Sequence, residues 1–418
     1  MTYRHLRWIL LGLLFLATLL NYIDRQTLSV LGPTLREELR LSESDYANVI
    51  TAFLLPYTVM YTLSGRLIDR VGVRLGLSVC LSWWSLATML TATARNALQL
   101  GLWRFLLGIG EPGVFPAGIR AVAEWFPRRQ RALAAGIFSS GSAAGAIVAP
   151  PLIAWVTLQF GWRYGFLIPG AAGFFLLPFW IWLYRSPQDH PAVSEADLAM
   201  LRGDEVQRPQ RTWLELLKRR KVWALVLPRI ASDPVWYFYL FWLPDYLQRG
   251  RGLSLAEIGM YGWIPFLFAD LGNIGGGALS DWLVRRGIPA ARARMVVLAA
   301  VGVLGPMGAL VGRVSTASAA IAVTCLVAFL AQAWATNMAT LAADLFPRSE
   351  TASVVGLMGT AGSLGGAMFS QVLGLAIASF GYPAAFLLAA TLHPLAAITL
   401  FALLTPTLKE CTPQDLGA

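Results

Sequence analysis

Charged side chains are scarce in this sequence. Asp, Glu, Lys and Arg together make up 13% of the 418 residues, about half of the roughly 25% that soluble domains carry. Hydrophobic residues account for 56% and the mean hydropathy is +0.59. A chain with so little polar surface is poorly matched to water, so we predict a protein embedded in a lipid bilayer.

Cysteine and histidine are also rare, with three of each. Cys80 and Cys325 fall inside predicted helices and Cys411 lies in the tail, so there is neither a disulfide framework nor metal-ligand spacing. The three histidines are dispersed, which leaves no Ser-His-Asp arrangement for an enzyme. The G-x-x-x-x-G-K-[ST] phosphate loop is absent as well, so ATP is not expected to drive the protein. We predict no enzymatic activity, no metal and no cofactor, with an ion gradient as the energy source.

Long apolar runs dominate what is present. Each is long enough to cross a hydrocarbon core of about 30 Å as a helix. The first run resembles a signal peptide, but it continues past Val30 as apolar helix, so we predict that it is retained. The twelve predicted spans are residues 8–32, 47–68, 75–93, 97–121, 131–156, 163–184, 222–247, 255–281, 294–313, 316–343, 351–379 and 383–405.

The basic residues indicate orientation, because Lys and Arg collect in cytoplasmic loops. They cluster between predicted helices 2 and 3, 4 and 5, and 8 and 9, and in the segment 185–221. The sequence therefore predicts an N-terminal bundle over 1–184, a cytoplasmic linker over 185–221 and a C-terminal bundle over 222–418, with both termini in the cytoplasm. The net charge of +10 is explained by this topology rather than by nucleic-acid binding.

The chain contains an internal duplication. Glu124 to Phe166 and Asp344 to Phe386 run in parallel without gaps, with Pro127 matching Pro347 and Gly145 matching Gly365 (347 − 127 = 220). Duplicated bundles of membrane helices are the usual architecture of secondary transporters. The duplication therefore favours transport over catalysis.

Four ionisable residues lie deep in predicted helices 1 and 4: Asp24, Arg25, Arg104 and Glu111. Each costs ~2.5–3.5 kcal/mol in the membrane, so such residues usually face a cavity or a partner. Asp24 and Arg104 lie at similar depth, and we predict that they pair, which leaves Arg25 and Glu111 for substrate and proton. A guanidinium binds a carboxylate with two hydrogen bonds, and a carboxyl group in a low dielectric can carry a proton near neutral pH. The alternative is a purely structural cluster of four charges.

The loop after predicted helix 2 carries a recognisable pattern. Gly65, Asp69, Arg70, Gly72 and Arg74 form G-x-x-x-D-R-x-G-x-R, with a weaker echo around Asp281 in the second half. The pattern resembles the signature loop of the major facilitator superfamily, in which this loop acts as a conformational latch. The resemblance implies an all-α membrane fold of twelve helices in two pseudo-symmetric six-helix bundles.

A closer resemblance rests on the helix 1 and helix 4 motifs. Asn21-Tyr22-x-Asp24-Arg25 and Arg104-Phe105-x-x-Gly108-x-x-Glu111, followed by Glu124-Trp125-Phe126-Pro127, are similar to the anion:cation symporter family of that superfamily. The runs Ser232 to Pro244 and Gly145 to Pro151 are similar to its hexuronate branch. The resemblance implies that Tyr22, Arg25 and Tyr57 contact a sugar acid. It also implies that Asp24 and Glu111 carry protons, with Arg104 supporting them.

Further polar and aromatic side chains complete the predicted site. Predicted helix 5 contributes Ser139 and Ser142, where related sequences tend to have asparagine at positions 139 and 143, so the identity of the sugar acid stays open. The second half contributes Trp236, Tyr237, Trp334 and Asn337. Aromatic and amide groups suit a polyol, although each aromatic residue could equally belong to an interfacial belt or to helix packing. The role of Asp270 stays open.

We therefore predict a proton-coupled symporter that imports a sugar acid, such as glucuronate or galacturonate, by alternating access. The expected partners are the anion, protons and the lipid bilayer, without nucleic acid, and the expected form is a monomer in the bacterial inner membrane. Two alternatives remain. One is a symporter or exporter of another organic anion, such as an aldonate, an aldarate or an aromatic carboxylate. The other is a membrane sensor that does not transport.

Overall fold

A computed structural model describes residues 3–202 and 213–409 of the chain, and these residues form helices joined by short turns and loops, without a strand. Each of the twelve predicted spans coincides with helix. The helices are α1 (Tyr3–Val30), α2 (Gly32–Glu38), α3 (Glu43–Val71), α4 (Val73–Thr91), α5 (Ala97–Gly110), α6 (Val114–Trp125), α7 (Arg128–Phe160), α8 (Trp162–Leu183), α9 (Glu195–Arg202), α10 (Trp213–Leu217), α11 (Arg220–Asp245), α12 (Leu255–Tyr261), α13 (Ile264–Arg285), α14 (Ala290–Leu304), α15 (Ala317–Leu345), α16 (Arg348–Phe380) and α17 (Tyr382–Lys409).

Three predicted spans differ from a simple apolar helix. Among the described residues, nine helices are long and apolar enough to cross a bilayer, and these correspond to all predicted spans except the fourth, seventh and eighth. The fourth span is divided into α5 and α6 by a 3-10 turn, and the eighth is divided into α12 and α13. The seventh is α11, which carries charged residues along its length.

The helices group into two compact units. Of the described residues, unit 1 comprises 3–41, 55–202 and 254–263, and unit 2 comprises 42–54, 213–253 and 264–409. The first turns of α3 therefore belong to unit 2 and the rest of that helix to unit 1, while α12 belongs to unit 1. The predicted domain limits ignored these two short stretches and stay a prediction. Part of the predicted linker, residues 203–212, and the tail with Cys411 lie outside the described residues.

The internal duplication is visible in the helix boundaries. α7 covers 128–160 and α16 covers 348–380, so both their starts and their ends are 220 residues apart (348 − 128 = 220; 380 − 160 = 220). In unit 1, α7 packs on α1 so closely that a Cβ on Gly145 would lie 2.5 Å from the Leu19 carbonyl oxygen. In unit 2, a Cβ on Gly365 would collide in the same way with the Ile230 carbonyl oxygen of α11. Only glycine allows the two backbones to approach this closely.

Candidate functional site

A buried ion pair joins α1 to the end of α5 in unit 1. Arg25 Nε and Nη2 donate hydrogen bonds to Glu111 Oε2 at 3.0 and 2.7 Å. Arg25 is 4% exposed and Glu111 is completely buried. Each of these buried charges is stabilised by the other, because removing one would leave an uncompensated charge away from water. A proton on Glu111 would cancel its charge and weaken its hold on the guanidinium.

Two tyrosine rings flank the same guanidinium. Arg25 Cζ lies 4.8 Å from the centre of the Tyr22 ring and 4.8 Å from that of Tyr57. The faces of aromatic rings carry partial negative charge and attract a cation, and the flat guanidinium stacks on them in a way that an ammonium group does not. The predicted binding residues Tyr22, Arg25 and Tyr57 are therefore brought together, with both ring centres 4.8 Å from the guanidinium carbon.

A break in the helix positions the acid. Glu111 begins a 3-10 turn, Glu111–Gly113, that separates α5 from α6. Pro112 has no N–H to donate, so it interrupts the helical hydrogen-bond pattern at this point. Asn21 Nδ2 donates a hydrogen bond of 3.4 Å to the Glu111 carbonyl oxygen and so connects α1 to the break. The sequence predicted one span over 97–121, in which Pro112 and its neighbouring glycines are the signal for the break.

Asp24 and Arg104 also meet, but through the main chain. Arg104 Nη1 donates a 3.4 Å hydrogen bond to the carbonyl oxygen of Asp24. Both residues are fully buried, and the two carboxylate oxygens of Asp24 make no hydrogen bond to the residues that the structure describes. The predicted contact between α1 and α5 is present, while a direct bond from Arg104 to the Asp24 carboxylate stays a prediction. Arg25 and Glu111 of the same cluster form an ion pair at 2.7 Å.

The serines of α7 contribute a small polar patch in unit 1. Ser142 Oγ donates to the Ser139 carbonyl oxygen at 2.7 Å, and Ser139 itself is exposed. Gly145, one turn further along, lies against Tyr22, with 2.8 Å between its added Cβ and the Tyr22 Cβ. Ser142 is therefore on a stretch of α7 that packs beside Tyr22 of the site.

The predicted residues of unit 2 divide into two groups. Trp236 and Tyr237 are partly exposed on α11, and the Tyr237 hydroxyl lies 3.2 Å from Ser363 Oγ of α16. Trp334 and Asn337 of α15 are buried, at 1% and 0% exposure. Asn337 Nδ2 donates to the Ala333 carbonyl oxygen of its own helix at 2.8 Å. The α11 residues are thus more accessible than those of α15.

A second membrane-embedded ion pair was not predicted from the sequence. Arg229 Nη2 and Asp233 Oδ2 of α11 lie 2.7 Å apart, one helical turn from each other. Asp233 appeared only within the run of residues that resembles the hexuronate branch, without a role. The signal was the same as for Arg25 and Glu111, namely two ionisable residues inside a predicted span.

The residues of the signature loop lie at the ends of α3 and α4. Gly72 has a φ of +81°, which favours glycine, and Arg70 is exposed. Arg74 Nε and Nη2 donate to the Ile181 carbonyl oxygen at 3.1 and 2.6 Å and so join α4 to α8. A Cβ on Gly65 would lie 3.8 Å from Pro116 Cβ of α6. The Asp69 side chain lies outside the described residues, so its predicted role stays a prediction.

The echo of this loop in unit 2 is also built from charges. Arg294 of α14 lies 2.6 Å from Asp281 at the end of α13 and 3.3 Å from Asp344 at the end of α15. One guanidinium therefore joins three helix ends. Among the described residues, no group of three or more His, Cys, Asp and Glu side chains is arranged to hold a metal ion.

Comparison with known proteins places these features in a family. The model of the Major Facilitator Superfamily matches residues 14–370. The chain is 33% identical over 409 residues to the hexuronate transporter of Escherichia coli strain K12, with 96% of this chain and 94% of that protein covered. It is 31% identical to the probable galactarate/D-glucarate transporter of the same strain, with 69% and 70% covered.

The fold matches as well. The crystal structure of a bacterial homologue of the human lysosomal transporter Spinster, in an inward-facing and unoccupied conformation, superposes with a TM-score of 0.78 over 98% of this chain and 99% of that one, at 20% identity. The expected twelve-helix architecture in two halves is confirmed, and the families matched consist of transporters, not enzymes. The chain is a multi-pass membrane protein and belongs to the Major Facilitator Superfamily.

Proposed function

We propose that this protein is a proton-coupled symporter that imports a sugar acid, in particular a hexuronate such as glucuronate or galacturonate. The observation that carries the proposal is the Arg25–Glu111 pair, in which Arg25 donates two hydrogen bonds to one carboxylate oxygen between two tyrosine rings. A substrate carboxylate and the Glu111 carboxylate have the same chemistry. They therefore compete for Arg25.

This competition couples protons to substrate. While Glu111 is ionised it occupies the donors of Arg25, and a proton on Glu111 makes them available to an incoming anion. Asp24, buried beside Arg104, is the second proton carrier of the proposal. When the protons leave on the cytoplasmic side, Glu111 binds Arg25 again and the substrate is released. Each proton moved down a gradient of one pH unit supports about tenfold accumulation of substrate.

The substrate class is supported by the relatives. Proteins named for hexuronates and for galactarate and D-glucarate are 33% and 31% identical to this chain. Their substrates share a carboxylate and a row of hydroxyl groups. Unit 1 offers the exposed hydroxyl group of Ser139. Unit 2 offers the partly exposed aromatic side chains of Trp236 and Tyr237. Hydroxyl and aromatic groups suit such a polyol. The proposal places the protein as a monomer in the inner membrane with both termini in the cytoplasm, in keeping with the basic loops.

Uptake into proteoliposomes tests the proposal. Labelled glucuronate and galacturonate are supplied with an inward proton gradient, without a gradient, and with a gradient collapsed by an uncoupler. We expect accumulation above the external concentration only with the intact gradient. Unlabelled aldonates, aldarates and aromatic carboxylates are then added as competitors, and the inhibition of labelled uptake ranks these anions as substrates. Uptake of no sugar acid under any gradient would refute the proposal, and equilibration without accumulation would refute its coupling.

A further inference from the structure

The ion pair within α11 is unusual in its surroundings. Arg229 and Asp233 lie 2.7 Å apart, with side chains 17% and 15% exposed. Ser232 Oγ donates to the other carboxylate oxygen, Asp233 Oδ1, at 3.1 Å. Arg229 Nε is buried and has no hydrogen-bond partner among the described residues. Ionisable groups in a membrane helix are expensive to insert and commonly mark a pathway for a polar ligand, so this pair requires a reason.

The internal symmetry supplies one. Gly145 and Gly365 are equivalent in the duplication, and each lies against a carbonyl oxygen of the neighbouring helix, Leu19 in unit 1 and Ile230 in unit 2. The helices α1 and α11 are therefore equivalent at an offset of 211 (230 − 19 = 211). Asp233 then takes the place of Tyr22 (22 + 211 = 233), a residue that flanks Arg25 in the proposed site.

The partner helix makes room for this carboxylate. Gly362 of α16 is the equivalent of Ser142 of α7 (142 + 220 = 362). A Cβ on Gly362 would lie 2.6 Å from Asp233 Cγ and would collide with its carboxylate oxygen Oδ2. The absence of a side chain at position 362 thus lets the carboxylate lie against α16 where unit 1 has a serine.

The same face of α11 carries the accessible aromatic residues. The face consists of Asp233, Trp236 and Tyr237, which are spaced i, i+3 and i+4 and therefore lie side by side on the helix. All three are partly exposed. The Tyr237 hydroxyl also lies 3.2 Å from Ser363 Oγ. Carboxylate, indole and phenol together are suited to hydroxyl groups, because the carboxylate accepts their hydrogen bonds and the rings cover their C–H faces.

We propose that Arg229 and Asp233 form a substrate-binding element of unit 2, which accepts hydrogen bonds from the hydroxyl groups of the sugar acid and selects singly charged over doubly charged acids. This inference rests on the proposed function. In the intact pair the two charges compensate, and the negative side accepts hydrogen bonds from hydroxyl groups. Asp233 repels a second carboxylate on the substrate, because both carry negative charge. Arg229 does not offset this repulsion, because its positive charge is already neutralised by Asp233.

Two substitutions with opposite expected signs test the proposal. Inhibition of labelled hexuronate uptake is measured with an unlabelled hexuronate and with galactarate, and the ratio of the two half-inhibiting concentrations is compared between variants. Asp233→Asn leaves the Arg229 charge uncompensated, so galactarate should gain at least tenfold relative to the hexuronate. Arg229→Gln leaves the acid alone, so galactarate should become a weaker competitor than it is in the wild-type protein.

Glu350→Gln is the matched control, because it removes the acid of another ion pair of unit 2, that with Arg219 at 2.6 Å. Its ratio should equal that of the wild type. The double variant Arg229→Gln with Asp233→Asn should return towards the wild-type ratio. If one single variant does not fold, the direction in which the other variant shifts the ratio still tests the inference.

An unchanged ratio, or a shift in the same direction for both single variants, would overturn the inference while leaving sugar-acid transport intact. Failure of the wild-type protein to take up any sugar acid would instead refute the proposed function, and the inference with it.

Discussion

Replacing Glu111 by glutamine is the most informative perturbation of the proposed site. Arg25 donates two hydrogen bonds to Glu111 Oε2, at 3.0 and 2.7 Å, and the acid is fully buried. Glutamine preserves the shape and an acceptor oxygen but removes the charge. A substrate carboxylate then no longer competes with an ionised partner for the guanidinium.

The size of the effect follows from the bonds that are weakened. A hydrogen bond to a charged group contributes about 1.5–3 kcal/mol net. Since each ~1.4 kcal/mol corresponds to a factor of ten, Glu111→Gln should bind the sugar acid roughly tenfold to a hundredfold more tightly at a pH where the wild-type acid is ionised. In the wild type, affinity should rise as the pH falls, because protonation of Glu111 has the same effect as the substitution.

Binding is measured by calorimetry on purified protein at two pH values, and transport by two assays in proteoliposomes. We expect the variant to bind equally well at both pH values, to retain exchange of internal for external substrate, and to lose accumulation driven by the proton gradient. Glu195→Gln, in the exposed first turn of α9, is the control and should behave as the wild type. A variant with wild-type affinity, pH dependence and accumulation would show that Glu111 is not the competing carboxylate.

Three further predictions concern the site and the scaffold. Arg25→Lys should raise the Kd for the substrate by at least tenfold, because an ammonium group cannot form the two-donor contact; an unchanged Kd in the same calorimetric titration would contradict this. Gly145→Ala should lower the free energy of unfolding by about 1–3 kcal/mol, since the new Cβ lies 2.5 Å from the Leu19 carbonyl oxygen. Gly136→Ala is the control and should leave the free energy of unfolding unchanged, because a Cβ there has no atom within 4 Å. Thermal melting of the two variants distinguishes the outcomes. Arg294→Gln should lower the melting temperature and slow uptake more than it changes KM, and an unaltered maximal rate would argue against a latch in unit 2.

The helical framework followed from hydropathy and from the duplication. Each predicted span coincides with helix, and the equivalence of Pro127 and Pro347 anticipated the starts of α7 and α16. This succeeds because lipid forces every backbone polar group into a helix, so the length of an apolar run leaves little choice. The short stretches of α3 and α12 that group with the opposite unit could not be predicted, because grouping depends on tertiary packing rather than on local sequence.

The sequence named candidate site residues, and the structure adds the contacts between them. Counting depth from the membrane surface matched Asp24 with Arg104, yet depth says nothing about how each helix is rotated about its axis. The structure supplies this rotation and brings Arg25 against Glu111, the acid that begins the 3-10 turn. Asn337 illustrates the same limit, because whether its amide faces a ligand or its own helix at Ala333 depends on a rotamer that the sequence does not encode.

The two ion pairs differ in a way that bears on mechanism. Arg25 and Glu111 come from different helices, so a proton on Glu111 can loosen the contact between α1 and the helix break. Arg229 and Asp233 are one turn apart on a single helix, so this ion pair does not itself join two helices. An ion pair between two helices can separate when an acid changes its partner during the transport cycle. An ion pair within one helix is better suited to recognising the substrate without changing partner. We therefore propose that Arg25 and Glu111 serve proton coupling and that Arg229 and Asp233 serve recognition of the substrate.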